Sequence, residues 1–288
     1  MTQNQDIRAD YLQRINDVLT YIRENIGKSF QLKELSEIGS FSPFHFHRII
    51  TSYLGEPLGA YVKRKRLEKA AQLLLFTNDS ITDISVAVGY ETSSSFSSAF
   101  SKHFQTSPTI YRQKRISLTT TEKMESPSKI NFDFQPTITT VPATKVAFVR
   151  AFGAYGSEST GKAWDTVLRF ASENHLLTHN TRLYGLSYDN PEISLENNCE
   201  YHACISLEQG IKPTKEIGVK ELKGGKYAVF TYKGSYAHFA AVYSLIFKEW
   251  LLKSTNELRD AEIFDRYVNS PMDTDTKDLL TEIYLPIK

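Results

Sequence analysis

The chain has 288 residues, a net charge of +1, and 41% hydrophobic and 12% aromatic residues, enough for two domains with separate cores. No run reaches the length of a membrane span, and the polar start "MTQNQDIRAD" lacks the apolar segment of a secretory signal. A membrane protein and a secreted protein are therefore not expected, and the cytoplasm is the expected compartment.

The charge is unevenly spread. Residues 1–116 hold 15 Lys+Arg and 11 Asp+Glu, a balance of +4, while the remainder stands at −3. A basic front and an acidic back point to different partners for the two halves.

Residues 8–116 read as almost wholly helical. Tyr11, Ile15, Val18, Leu19 and Ile22 follow helical spacing, and Leu67, Ala70, Ala71, Leu74 and Leu75 do so again. A repeated unit lies on either side of the second run. "LKELSEIGSFSPFHFHRIITSYLGEPLGAY" (32–61) parallels "ITDISVAVGYETSSSFSSAFSKHFQTSPTIY" (81–111). Leu32, Leu35, Ser40 and Phe41 match Ile81, Ile84, Gly89 and Tyr90 at an offset of 49, and Phe46, Ile50, Leu54 and Tyr61 match Phe96, Phe100, Phe104 and Tyr111 at an offset of 50. Each copy predicts a short helix, a turn at Ser40 or Gly89, and a second helix with apolar residues at i and i+4, which is the helix-turn-helix pattern.

With those residues inward, the second helix of the first copy offers Phe44, His45, His47, Arg48 and Thr51. That of the second copy offers Ser93, Ser94, Ser95, Ser97, Ser98 and Lys102. A rigid apolar back and a short, hydrogen-bonding front suit a helix entering a DNA major groove. An ordinary solvated helix face is the other reading of the serines. The connecting helix carries Lys63, Arg64, Lys65, Arg66 and Lys69, a charge run that either faces water or meets phosphates. His45 and His47 are too close in sequence to share a helix face as metal ligands, and no metal or cofactor is expected.

"SLTTTEKMESPSK" (117–129) reads as a linker. From 130 the pattern becomes α+β. "KVAFVRAFGAYGS" (145–157) parallels "KYAVFTYKGSYAH" (226–238) at an offset of 81, and each run precedes an amphipathic helix and then a strand. Two pseudo-symmetric β-α-β repeats would form an aromatic cleft of the kind that takes small ligands. Glu282 and Glu200 lie on strands of these repeats. Either glutamate points to solvent or into the cleft, where a carboxylate among aromatics would favour a lipophilic cation. Trp164, Tyr184, Tyr201, Trp250 and Tyr284 are the candidate walls, or plain core.

Residues 8–116 resemble the DNA-binding domain of the AraC family of bacterial transcription regulators, most strongly in the "VGY…SSFSSAFSKHFQTSPTIYR" run. The resemblance implies seven helices, with a linker helix holding two recognition helices in successive major-groove segments of one DNA face. It implies Phe44, His47 and Arg48 as base-facing in the first, and Ser93, Ser94, Ser95, Ser97 and Ser98 in the second. Serines there depart from members with arginine or glutamine, which shifts the expected specificity towards Arg48. Residues from 130 resemble the GyrI-like effector-binding domain, in "YGLSYDNPEI…NNCEYHACISL" and the terminal "LLTEIYLPIK". That resemblance tilts Glu282 towards the cleft.

The expected organisation is therefore an all-α double helix-turn-helix domain at 1–116, a linker at 117–129, and an α+β effector domain at 130–288. The expected partners are double-stranded promoter DNA, a small-molecule effector and RNA polymerase, with a monomer or weak dimer. The competing readings are a C-terminal domain that binds a partner protein and one that acts as a hydrolase. Cys199 and Cys204 near His202 raise the second, but an odd separation along a strand puts Cys199 and His202 on opposite sides, and no catalytic residue is expected.

Overall fold

The structure, a computed structural model, describes residues 2–113, 132, 134–189, 194, 199–208, 210–211 and 216–288; the side chains of residues 2–10 and of Phe44 lie outside that description, as does the linker expected at 117–129. The chain divides into two compact units, one built on Met1–Ser117 and the other on Leu118–Pro213 and Ile217–Lys288.

The first unit is helical. Its elements are α1 (Thr2–Glu24), α2 (Leu32–Ile38), α3 (Pro43–Leu54), α4 (Leu58–Phe76), α5 (Ile81–Ala87) and α6 (Ser93–Phe104), and residues 108–113 are again helical. The repeat is visible residue by residue. Phe46 and Ile50 of α3, and Phe96 and Phe100 of α6, are fully buried, and Tyr61 and Tyr111 close the two copies. The turn residues Ser40 and Gly89 both have positive φ, at 51° and 79°. Ser36 and Ser85 form a further matched pair. Both are buried, and each hydroxyl donates to the carbonyl three residues back, Lys33 O at 2.7 Å and Thr82 O at 2.8 Å. A serine can sit in a core when a local carbonyl takes its proton.

The second unit is built on one eight-stranded antiparallel sheet: β1 (Thr137–Val141), β2 (Thr144–Phe152), β3 (Leu183–Ser187), β4 (Glu200–Ser206), β5 (Gly218–Leu222), β6 (Gly225–Lys233), β7 (Phe264–Tyr267) and β8 (Leu280–Pro286), in the order β1-β6-β8-β7-β3-β4-β2-β5. Exchanging β1 with β5, β2 with β6, β3 with β7 and β4 with β8 reproduces this order, so the pseudo-two-fold runs between β7 and β3. Each half adds two strands to the β-α-β core read from sequence. The leading strands are exchanged: β1 pairs with β6, and β5 with β2.

That exchange dictates the shape of the sheet. Only Lys223 and Gly224 join β5 to β6, although β5 lies at one edge and β6 beside the other. The sheet must curl until its ends meet. They approach so closely that a Cβ on Gly224 would lie 2.5–3.0 Å from backbone atoms of Val141, Pro142 and Ala143. The inner face of the curl packs Val146, Phe148, Leu186, Cys204, Leu222, Tyr227, Phe264 and Tyr284.

The outer face carries the helices. α7 (Glu158–Glu173) lies on β2 and β4 through Ala163, Val167 and Ala171. α8 (Phe239–Leu245) continues into a π-type turn at Ile246–Trp250, and Val242 and Ile246 pack on Phe230 and Ile283 of β6 and β8. The middle strands β3 and β7 are left between the two helices.

Candidate DNA interface and effector site

The expected recognition helices, α3 and α6, begin alike. Ser42 Oγ accepts from the His45 amide at 3.4 Å, and Thr92 Oγ1 from the Ser95 amide at 3.1 Å. Each cap satisfies one open N–H at the end of the helix. From α3, His45, His47 and Arg48 are exposed, and Arg48 makes no ion pair with the described residues. The Phe44 side chain falls outside the description.

The serine front of α6 is less available than its composition implies. Ser93 Oγ donates to Thr82 Oγ1 at 3.2 Å, which ties α6 to α5. Ser95 Oγ donates to the Thr92 carbonyl at 2.9 Å, and Ser97 is half-buried. Ser94, Ser98 and Lys102 are exposed, and among the described residues no partner takes their side chains. The basic stretch of α4 is also largely committed. Arg64 pairs with Glu68 at 3.2 Å and with Glu56, and Lys65 Nζ lies 3.5 Å from Glu68. Arg66 donates to the carbonyls of Ile26 and Gly89, each at 3.0 Å, and to that of Lys28, joining the end of α1 to the second helix-turn-helix turn. Lys63 is exposed. The run is thus mostly a structural clamp, because a guanidinium gains more from fixed carbonyls and carboxylates than from water.

In the second unit the six candidate effector residues do not form one group. Trp164 and Tyr201 meet on the outer face: Trp164 Nε1 donates to Tyr201 Oη at 3.1 Å. Glu282, Tyr284 and Tyr184 lie on the inner face, and Trp250 is core beside Phe230. Glu282 Oε1 accepts from Arg266 at 2.8 Å and Oε2 from Tyr284 at 2.7 Å. Glu200 also turns inward. It is fully buried, 3.1 Å from Arg150 and 2.9 Å from His202 Nε2, and the His202 ring stacks on Phe148. Burial first, then the charge of Lys220, holds His202 well below its usual range, so it is neutral. Both glutamates singled out in the sequence therefore have an arginine partner in the curl. Strand parity fixed which residues share a face, but not which face the helices cover.

The carboxylate on the helix-covered face is Asp265 of β7. It is 1% exposed, and Tyr243 of α8 donates to its Oδ1 at 2.7 Å. Around it stand Tyr201, Tyr236, Tyr267 and, through them, Trp164 and Phe239. Tyr201 and Tyr267 hydroxyls are 3.0 Å apart, and the Tyr267 ring meets Trp164 at 5.5 Å and Tyr236 at 5.2 Å. Gly185, paired directly with Asp265, makes room for them: a Cβ there would lie 2.5 Å from both hydroxyls. Burial pushes the Asp265 carboxyl up to about 7, with the Tyr243 hydrogen bond opposing it. Burial and then the Asp265 charge raise Tyr236 to about 12; burial and then Asp265 raise Tyr243, and burial and then Tyr201 raise Tyr267, so all three stay phenols. Asp265 is not among the residues singled out from the sequence. A lone acid inside the aromatic run "IFDRY" was the available signal.

A model of the GyrI-like small molecule binding domain matches residues 134–288, and a helix-turn-helix domain model matches residues 35–114. The chain belongs to the GyrI-like family. Its helix-turn-helix region is of the AraC type. Transcriptional regulator Rob of Salmonella typhimurium is 25% identical over 76% of this chain and 78% of its own length. HTH-type transcriptional activator AarP of Providencia stuartii is 29% identical over 34% of this chain and 73% of its own. A crystal structure of a transcriptional regulator with an AraC-type DNA-binding domain from Chromobacterium violaceum aligns with a TM-score of 0.34 at 27% identity, covering 35% of this chain and 91% of that one. This GyrI-like regulator keeps Cys199 and Cys204 buried and outside any disulfide, and burial pushes the Cys204 thiol up to about 12, far from a reactive thiolate. Among its described residues no helix is long and apolar enough to cross a membrane.

Proposed function

We propose that this GyrI-like regulator reads promoter DNA mainly with α3 and senses a lipophilic cation above Asp265, between α7 and α8. The observation that carries the sensor reading is a buried carboxylate walled by Tyr201, Tyr236, Tyr243 and Tyr267 with no basic side chain of the described residues against it. Such a site supplies charge attraction and aromatic faces together, and both select a cation with apolar substituents. Glu282 does not fill that role, since Arg266 already neutralises it.

On the DNA side, Arg48 is the exposed residue able to bind a guanine bidentately, whereas Ser93 and Ser95 spend their hydroxyls within the protein. The second head then contributes position more than sequence, through Ser94, Ser98 and Lys102. Two heads on one chain suit contacts spaced about one helical turn, roughly 10 base pairs. Selection of bound fragments from random DNA tests this directly. A strong preference should appear in one segment and a weak one in the next. Inserting about five base pairs between the segments should abolish tight binding, because it turns them to opposite faces of the duplex. Equal preference in both segments, or indifference to the insertion, would sink the reading.

A further inference from the structure

Among the described residues, Asp265 faces a ring of four tyrosines. α8 supplies Tyr243, the turn before α8 supplies Tyr236, β4 supplies Tyr201, and β7 itself supplies Tyr267. The paired residues on the flanking strands are Gly185 of β3 and Ile283 of β8, which carry no charge. The neighbouring Arg266 points to the other face, where Glu282 holds it at 2.8 Å. The only side-chain hydrogen bond to Asp265 among the described residues is the one from Tyr243. A buried carboxyl without a counter-ion has two ways to avoid a bare charge: it keeps a proton, or it takes a cation from outside.

We infer that a proton and the effector's positive charge are alternative occupants of Asp265, so that binding of a cation releases one proton from this carboxyl. The inference rests on the effector reading above. Because burial holds the carboxyl at about 7, the exchange falls in the neutral range. The four phenols remain protonated there, so Asp265 is the group of this ring that titrates. The site would therefore bind the same cation more tightly in alkaline than in acidic conditions. The ionised fraction, and with it the apparent affinity, rises about tenfold from pH 6 to pH 8.

Two measurements on the full chain separate this coupling from the effector reading. In the first, the Asp265 carboxyl carbon is titrated by NMR without ligand. In the second, benzyltrimethylammonium, whose charge does not titrate, and its uncharged carbon isostere neopentylbenzene are bound calorimetrically at several pH values, in buffers of different ionisation enthalpy. The expected results are a carboxyl midpoint near 7, a tenfold gain in cation affinity from pH 6 to 8, and release of close to one proton at pH 6. The isostere should show no pH dependence, and Asp265→Asn should bind the cation weakly at every pH. A midpoint in the ordinary carboxylate range, or a cation affinity that is flat with pH, would overturn the coupling and leave the effector site standing. A cation that binds at no pH would overturn the effector reading and the coupling together.

Discussion

Replacing Asp265 by Asn is the sharpest physical test of the second unit, because its effect on stability has a calculable pH dependence. The side chain keeps its shape, and Tyr243 can still donate to the remaining carbonyl oxygen. What disappears is the cost of ionising a carboxyl in the interior. In the folded chain the group binds its proton up to about 7, against an ordinary value of 3.8. Through the interval between those values the folded state holds more protons than the unfolded one, so wild-type stability falls as pH rises and levels off above 7. A gap of about 3 pKa units corresponds to roughly 4 kcal/mol at the alkaline plateau, and to a change of roughly 2.5 kcal/mol between pH 5 and pH 8. Asp265→Asn should lose that slope and exceed the wild type by a margin that grows towards pH 8. Tryptophan fluorescence during urea unfolding is the suitable assay, since both tryptophans, Trp164 and Trp250, belong to the second unit. A stability difference that stays constant from pH 5 to 8 would refute the reasoning, because it would mean that Asp265 does not change its charge in that range.

Other expectations follow from the same geometry. Arg48→Ala should cost about 1–3 kcal/mol on the preferred site and little on random DNA, whereas Lys102→Ala should weaken both alike and reduce the salt dependence by about one counter-ion, read by titrations at several salt concentrations. Glu282→Gln should leave benzyltrimethylammonium affinity unchanged; a large loss there would return the effector's charged anchor to β8 and the inner face. Glu200→Gln removes the charge that balances buried Arg150, and denaturation should show a loss of about 3–5 kcal/mol, one of the larger single-site effects in the chain.

Much of the helical unit was legible because its information is local. The paired offsets of 49 and 50 placed Phe46 with Phe96 and Ile50 with Phe100, and helical periodicity is enough to bury both pairs. Ser36 and Ser85 escaped notice because a buried serine depends on a carbonyl three residues away, which composition does not display. The commitment of Arg64 and Arg66 escaped for a related reason: a basic run looks the same whether it faces phosphate or the protein's own carbonyls.

By itself the sequence determined the two units, the repeat within each, and the alternation that sets Glu282 with Tyr284 and Tyr201 away from Glu200. Each follows from neighbouring residues obeying a fixed period. Only the tertiary structure decided which face of the sheet lies under helices. That choice depends on β1 and β5 crossing to the opposite halves, and on the short β5–β6 link that forces the sheet to curl, neither of which is expressed in any local window. The curl takes Glu282 and Glu200 inward to their arginines and leaves Asp265 beneath the helices with no arginine of the described residues beside it. A carboxylate's role here is set by the charge brought near it through space, and pairing strands distant in sequence supplies or withholds that charge.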